Sequence, residues 1–258
     1  MSTIRLAQRP RPIQLVGGAG LVPPNQLSGL TLWERSANIS GSPIDSWAND
    51  ALASGGGTFT NTGTNRPTVG SINGITAATF ASASAQSLLG ATALSSYITT
   101  TSLEGFIVVN VASLGTGNDS ADSTPYSRPA LFTGTTGARL GVSCSASGIK
   151  AWIFNGTTYT NTPFCSITAG TPTLIGFRLS AATIYVSVGD LASEVSTGST
   201  GAIDSLTSNF RIGANFNGTV GSNSTIAEIV LYNRVLTTAE RAQVRAYENN
   251  RFALGLTS

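Results

Sequence analysis

Short apolar runs return along this chain at intervals of about a dozen residues, and Gly, Ser, Thr and Asn fill the gaps between them. A chain punctuated this way has room for strands and tight turns. It has little room for helices, which need an apolar stripe of period 3.6 held over ~10 residues or more. The run "GFIVVNVAS" is apolar on both faces, as a central strand covered on two sides requires. "IKAWIFNG" sets Ile149, Ala151 and Ile153 against Lys150, Trp152 and Phe154 and ends on the turn pair Asn155–Gly156. "TLIGFRLS" and "TIYVSVGD" are separated by Ala181–Ala182, which predicts a hairpin. "NFRIGANF" places Phe210, Ile212, Ala214 and Phe216 on one face. "TIAEIVLY" sets Ile226, Glu228, Val230 and Tyr232 against Ala227, Ile229 and Leu231. Strand upon strand without helical period predicts an all-β protein, a two-sheet antiparallel sandwich of jelly-roll type.

One helix is expected, at the carboxyl end. Thr237 and Glu240 have the spacing of a capping box, and Val244 and Tyr247 fall on the face toward the sandwich. Ala239, Ala242 and Ala246 are read as allowing close approach, with Arg241 and Arg245 pointing outward and Asn249 and Asn250 ending the helix.

The domain is predicted to span residues 30–258, preceded by an extended arm, 1–29. Pro10, Pro12, Pro23 and Pro24 forbid regular helix in that arm, yet Ile4, Leu6, Ile13, Leu15 and Val16 are apolar. It reads equally as a strap on its own domain or as an arm that pairs with another subunit. Arg5, Arg9 and Arg11 are the only charges before Glu34. Three arginines are too few for a nucleic-acid tail and suit docking on an acidic protein surface. "ASGGGTFTNTGTN" and "STGSTGA" read as loops within the domain.

Charged residues make up 10% of the 258, against roughly 25% in an average soluble domain, so hydroxyls, amides and glycine must build the surface. No His is present, which removes the commonest general base and metal ligand. No Asp or Glu pair sits at i and i+2 on an expected strand, and Glu228 stands alone in its run. Hydrolysis by a carboxylate pair is therefore not expected. Cys144 and Cys165 are the only thiols, open to a disulfide between neighbouring strands or to two buried free thiols. No run approaches the ~20 apolar residues of a membrane span, and the first residues lack the apolar core of a signal peptide, so no membrane partner or secretory export is expected.

The closing stretch "IAEIVLYNRVLTTAERAQVRAYENNRFAL", with "LTLWERS", "IDSWANDA", "NRPTV" and "INGITAATF" in order near the start, resembles laminin-G-like domains of the concanavalin A-like lectin/glucanase superfamily. The resemblance covers roughly residues 28–254. Trp33, Trp47 and Phe80 are then expected as core aromatics. Members of that superfamily often bind calcium on a rim loop, and the matching candidates are Asn118, Asp119 and Asp122 in "GNDSADS". Sugar sites in the superfamily use aromatics and amides, which makes Tyr97, Tyr126, Trp152 and Tyr159 candidates for glycan contact or for plain packing.

Two functional expectations follow. The first is a non-enzymatic structural subunit of a virus particle, most naturally of a tailed bacteriophage, on the virion surface. It would dock on capsid or tail subunits or on copies of itself through Ile4, Arg5, Leu6, Arg9, Arg11, Ile13 and Leu15. The second is a carbohydrate-binding or adhesion module, extracellular, recognising host glycans. No cofactor other than calcium is expected.

Overall fold

The computed structural model describes residues 21–51, 57–114, 130–135, 139–198 and 201–256. In chain order its strands are β1 (Leu30–Ser40), β2 (Ser46–Asn49), β3 (Phe59–Thr60), β4 (Thr68–Ile72), β5 (Ile75–Phe80) and β6 (Leu88–Ala93). β7 (Ser102–Val111), β8 (Ala130–Gly134), β9 (Leu140–Ser145), β10 (Gly148–Phe154) and β11 (Tyr159–Asn161) follow. β12 (Thr173–Ser180), β13 (Thr183–Val188), β14 (Val195–Gly198), β15 (Asn209–Ile212) and β16 (Ser224–Tyr232) precede the helix α1 (Thr238–Phe252).

All named strands pair antiparallel in one continuous sheet that doubles back on itself as a β-sandwich. The order β11-β10-β9-β8-β15-β6-β3-β2 makes one layer, and β1-β16-β7-β12-β13-β14 makes the other, with the β4–β5 hairpin against the start of β16. β1 is the corner. Leu30 to Arg35 pair with β16, whereas Glu34, Ile39 and Ser40 pair with β2. At the far ends β10 comes into contact with β13, and β11 with β14, so the sandwich is nearly closed and little raw edge remains.

Between the layers lies the main core. Trp47, Phe59, Ile107, Phe132, Phe210 and Leu231 are all completely buried there, and the Phe132 and Phe210 rings stack at 4.1 Å. A second core forms where α1 covers the outer face of β1, β16, β7 and β12, uniting Trp33, Phe106, Val230, Tyr232, Val244 and Phe252. β7 therefore contributes Ile107 and Val109 to one core and Phe106 and Val108 to the other, as its two-sided apolar sequence predicts. Trp33, Trp47 and Phe80 are core residues.

Local signals are mostly realised. Ser180 pairs with Thr183 across Ala181–Ala182, and Ala181 takes the left-handed φ of 51° that so short a link demands. Ile72 pairs with Ile75 around Asn73–Gly74, both left-handed. The capping box forms: Glu240 N donates to Thr237 Oγ1 and Thr237 N donates to Glu240 Oε2. Arg234 grips the same Glu240 through both terminal nitrogens while its Nε donates to Ser28 O. Together with Tyr232 Oη, which donates to Pro24 O, this ties residues 24–28 to the closing strand and helix.

Four expectations are corrected. A register shift between Ile226 and Glu228 makes Ala227 an extra residue, so Ile226 joins Ile229 and Leu231 in the main core rather than the face of Glu228 and Val230. On the helix, Ala239, Ala242 and Ala246 are exposed, while Val244, Glu248 and Phe252 are buried at i, i+4 and i+8. Arg241 and Arg245 turn inward: Arg241 lies 2.9 Å from Glu104, and Arg245 Nε donates to Gly189 O. The helix ends on Ala253 (φ 49°), three residues past Asn250.

Cys144 and Cys165 are both buried thiols outside any disulfide. Each pairs with Ile149, one on either side, so two strand spacings, about 9.6 Å, separate them. That exceeds the ~7 Å Cα limit of a disulfide. Burial pushes the Cys144 thiol up to about 12.

Candidate functional site

β3, β6 and β15 are neighbours in the first layer, and each is short and strictly alternating. Phe59, Leu88, Phe210 and Ile212 point into the core, which turns Thr60, Leu89 and Arg211 to the outer face. The register aligns them: Thr60 pairs with Leu89, and Leu89 with Arg211. These side chains floor an open cavity of about 410 Å³. Loops raise its walls. Asn61, Thr62 and Asn65 follow β3, Ser87 precedes β6, and the Asn217–Gly218 turn follows β15.

The walls are held by their own hydrogen bonds. Asn61 Nδ2 donates to Asn65 O and Ser87 O, while its Oδ1 accepts from Gly63 N, folding the loop back on itself. Asn217 Oδ1 accepts from the Thr219 hydroxyl, and Gly218, at φ 75°, lies over the Arg211 guanidinium. A Cβ at Gly218 would stand 2.7 Å from Arg211 Nη1 and displace the guanidinium, and the positive φ is what favours glycine there. Among the described residues the Arg211 side chain makes one hydrogen bond, Nη1 donating to Ser87 Oγ at 2.8 Å, and its Nε is buried without an acceptor. Burial pulls its pKa down, though a guanidinium stays charged throughout the accessible pH range. Among the described residues the lining carries neither Asp nor Glu.

The carboxylates lie elsewhere. Beneath α1, Glu228 Oε1 accepts from Trp33 Nε1 at 2.5 Å, and its Oε2 lies 3.2 Å from Arg251 Nη1. The helix brings Glu248 against the same group. Burial first, then the neighbouring Glu228 charge, hold Glu248 well above the usual carboxylate range. Glu228, read from the sequence as solitary, thus has a carboxyl partner that only the tertiary fold supplies. Both are completely buried, so this pair faces no groove. Glu34 is also completely buried, its carboxyl without a hydrogen-bond partner among the described residues, and it is raised well above its ordinary value by burial and then by Asp50.

The aromatic glycan candidates do not converge. Tyr97 and Trp152 are buried, Tyr97 against Phe210 in the main core and Trp152 beneath Tyr159, so neither offers a face for stacking. Trp152 lies on the face of β10 opposite the core residues Ile149, Ala151 and Ile153, and its burial comes from packing over Gly141 and beneath Tyr159. Tyr159 is half-buried, its ring committed to Trp152 and Phe154. Tyr126 lies outside the described residues, as do the calcium candidates Asn118, Asp119 and Asp122 and the arm residues Ile4, Arg5, Leu6, Arg9, Arg11, Ile13 and Leu15. Sequence reasoning missed the cavity because "ASGGGTFTNTGTN" reads as loop. Its one signal was the alternation of Phe59 and Thr60, which form β3.

No protein-family model and no curated protein matches the chain. Solved structures do. Domain 4 of AbnA, a GH43 extracellular arabinanase from Geobacillus stearothermophilus in complex with arabinotriose, is similar at a TM-score of 0.59 and 16% identity, over 84% of this chain and 97% of that one. The binding domain of Paraclostridial Mosquitocidal Protein 1 gives 0.61 and 10%, over 86% and 52%. Trypanosoma rangeli sialidase in complex with the inhibitor DANA gives 0.56 and 14%, over 85% and 33%. The chain therefore spans a third of the sialidase and about half of the mosquitocidal structure. At these identities the likeness shows the fold alone, a β-sandwich.

Proposed function

We propose that this chain is a non-enzymatic recognition domain that binds a saccharide in the cavity floored by Thr60, Leu89 and Arg211. The observation that carries it is the cavity's chemistry. A volume of about 410 Å³ accommodates a sugar unit. Amides and hydroxyls suited to sugar hydroxyls surround one apolar floor residue, Leu89, which is 38% exposed. The floor belongs to paired strands, so the donors are set in place before a ligand arrives. The arabinotriose held by the Geobacillus domain supports the class of ligand. Catalysis is disfavoured because glycoside hydrolysis needs two carboxyl groups flanking the bond, and the lining offers none among the described residues.

Binding to a glycan array tests this, with Leu89→Glu as the control. That substitution sets a carboxylate directly across from Arg211 and closes the cavity floor. The reading expects array binding by the native chain and its loss in Leu89→Glu at unchanged melting temperature. An empty array, or equal binding by both proteins, contradicts it. Release of reducing sugar from the bound glycan would restore an enzymatic reading.

Docking on a virus particle, as a surface subunit or self-associating module, is a separate proposal that rests on the charge-poor composition and the arginine-bearing arm. Co-sedimentation with capsids by the full chain, lost on removing residues 1–29, is its expected result. Equal recovery without the arm, or none with it, counts against it.

A further inference from the structure

Among the described arginines, Arg211 is held by neither a carboxylate nor a backbone carbonyl. Arg35, Arg66, Arg139 and Arg178 are ion-paired with Asp50, Asp45, Asp204 and Glu194. Arg234, Arg241 and Arg251 are paired with Glu240, Glu104 and Glu228. Arg211 has no carboxylate partner among the described residues, although it is half-buried, where an uncompensated cation is least favourable. It does not escape into solvent as a surface arginine does. Ser87 pins Nη1, the Gly218 turn packs over the guanidinium, and the strand fixes its base. Most of its N–H donors remain uncommitted at the floor of the cavity.

We infer that the saccharide bound here is acidic, a sugar bearing a carboxylate such as a uronic or sialic acid, with that carboxylate seated on Arg211. The inference rests on the saccharide reading of the cavity and goes beyond it by naming the ligand's charge. A guanidinium is a planar fork that matches a carboxylate, and a charge-assisted bond in a partly desolvated site is about twice as strong as a neutral one. One cation without an acidic neighbour matches one anion. Asn61, Thr60 and Asn217 are then left for the hydroxyls of the same sugar ring, and Leu89 for its apolar face. Seven of the other described arginines hold a carboxylate and Arg245 is anchored on the Gly189 carbonyl, whereas Arg211 has only the Ser87 hydroxyl.

The test is calorimetric titration of the full chain with matched pairs: trigalacturonate and its methyl ester, and sialyllactose and lactose, with a sulfated lactose as a third arm. The acid member of at least one pair should bind about tenfold more tightly than its neutral counterpart. Arg211→Gln should remove that preference, bringing the acid and neutral members of the pair to within about twofold of each other, while Arg211→Lys should keep part of it because charge survives without the fork. Thermal melting verifies that each variant is folded. Should Arg211→Gln fail to fold, Arg211→Lys and Ser87→Ala, which unpins the guanidinium, carry the comparison. Equal affinity for acid and neutral forms overturns the acidic ligand while leaving the saccharide reading standing. Preference for the sulfated arm over both carboxylates overturns the carboxylate assignment. Binding of none of the ligands overturns both readings.

Discussion

The seam under α1 and the cavity over β3, β6 and β15 occupy the outer faces of the two layers, and each contains an arginine. Around Arg251 the fold has gathered Glu228, Glu248, the Trp33 indole and the Tyr247 hydroxyl, then sealed them with Val244 and Phe252. Around Arg211 it has placed one serine hydroxyl, amides and open space. The first region is closed and its charges are compensated within the chain. The second is open and its charge awaits compensation from outside. The difference teaches where stability and where recognition reside.

The sharpest way to break that contrast is to remove the seal. Phe252→Ala, a fully buried aromatic lost from the second core, should cost about 4 kcal/mol of unfolding free energy in urea titration. A loss below ~1 kcal/mol would mean that the helix is an ornament of the sandwich and not its lid. Next comes Arg251→Met, which leaves the buried Glu228 carboxylate without its cation and should cost about 3 kcal/mol. Adding Glu228→Gln should restore part of it; if the double variant is no better than the single, the seam is not an electrostatic unit.

Titration sharpens the same contrast. Burial outweighs the Leu236 amide and Arg241 and raises Glu104 to about 7. Glu34 and Glu248 are raised as well. A carboxyl more basic folded than unfolded lets the native state hold a proton that the unfolded chain has lost, so stability falls as pH rises. Its contribution is full below the unfolded pKa of about 4.3 and is lost as pH climbs through about 7 for Glu104, on the order of 3 kcal/mol. Melting temperature should decline across that window and decline less in Glu104→Gln. A flat profile would show these groups ionised in the native protein. The smallest effect belongs to the cavity: Arg211→Gln should change stability by no more than ~0.5 kcal/mol, because no internal partner is orphaned except Ser87. A cost above ~2 kcal/mol would make Arg211 a structural residue.

Legibility in the sequence divided along the same line. Features set by near neighbours could be read directly: the Ala181–Ala182 turn, the Thr237–Glu240 box, and the two-sided burial of β7. The bulge at Ala227 escaped because a single extra residue leaves no mark on a run that is apolar throughout. Burial of Glu248 and the inward turn of Arg241 escaped because a helical wheel places charge outside unless a partner, here Glu228 or Glu104, waits on another element. The cavity was hidden twice over. Thr60, Ser87, Leu89 and Arg211 come from three separate stretches, and strand pairing alone brings them together. Conspicuous aromatics such as Tyr97 and Trp152 drew attention instead, and their size is what buries them.

The most direct test of the central claim is an amide NMR titration of the intact chain with the tightest-binding saccharide of the matched panel. Shifts confined to Thr60–Asn65, Ser87–Leu89, Arg211 and Asn217–Gly218 are the predicted result. Shifts clustered at Trp152 and Tyr159, or spread along α1 with the cavity silent, would contradict it.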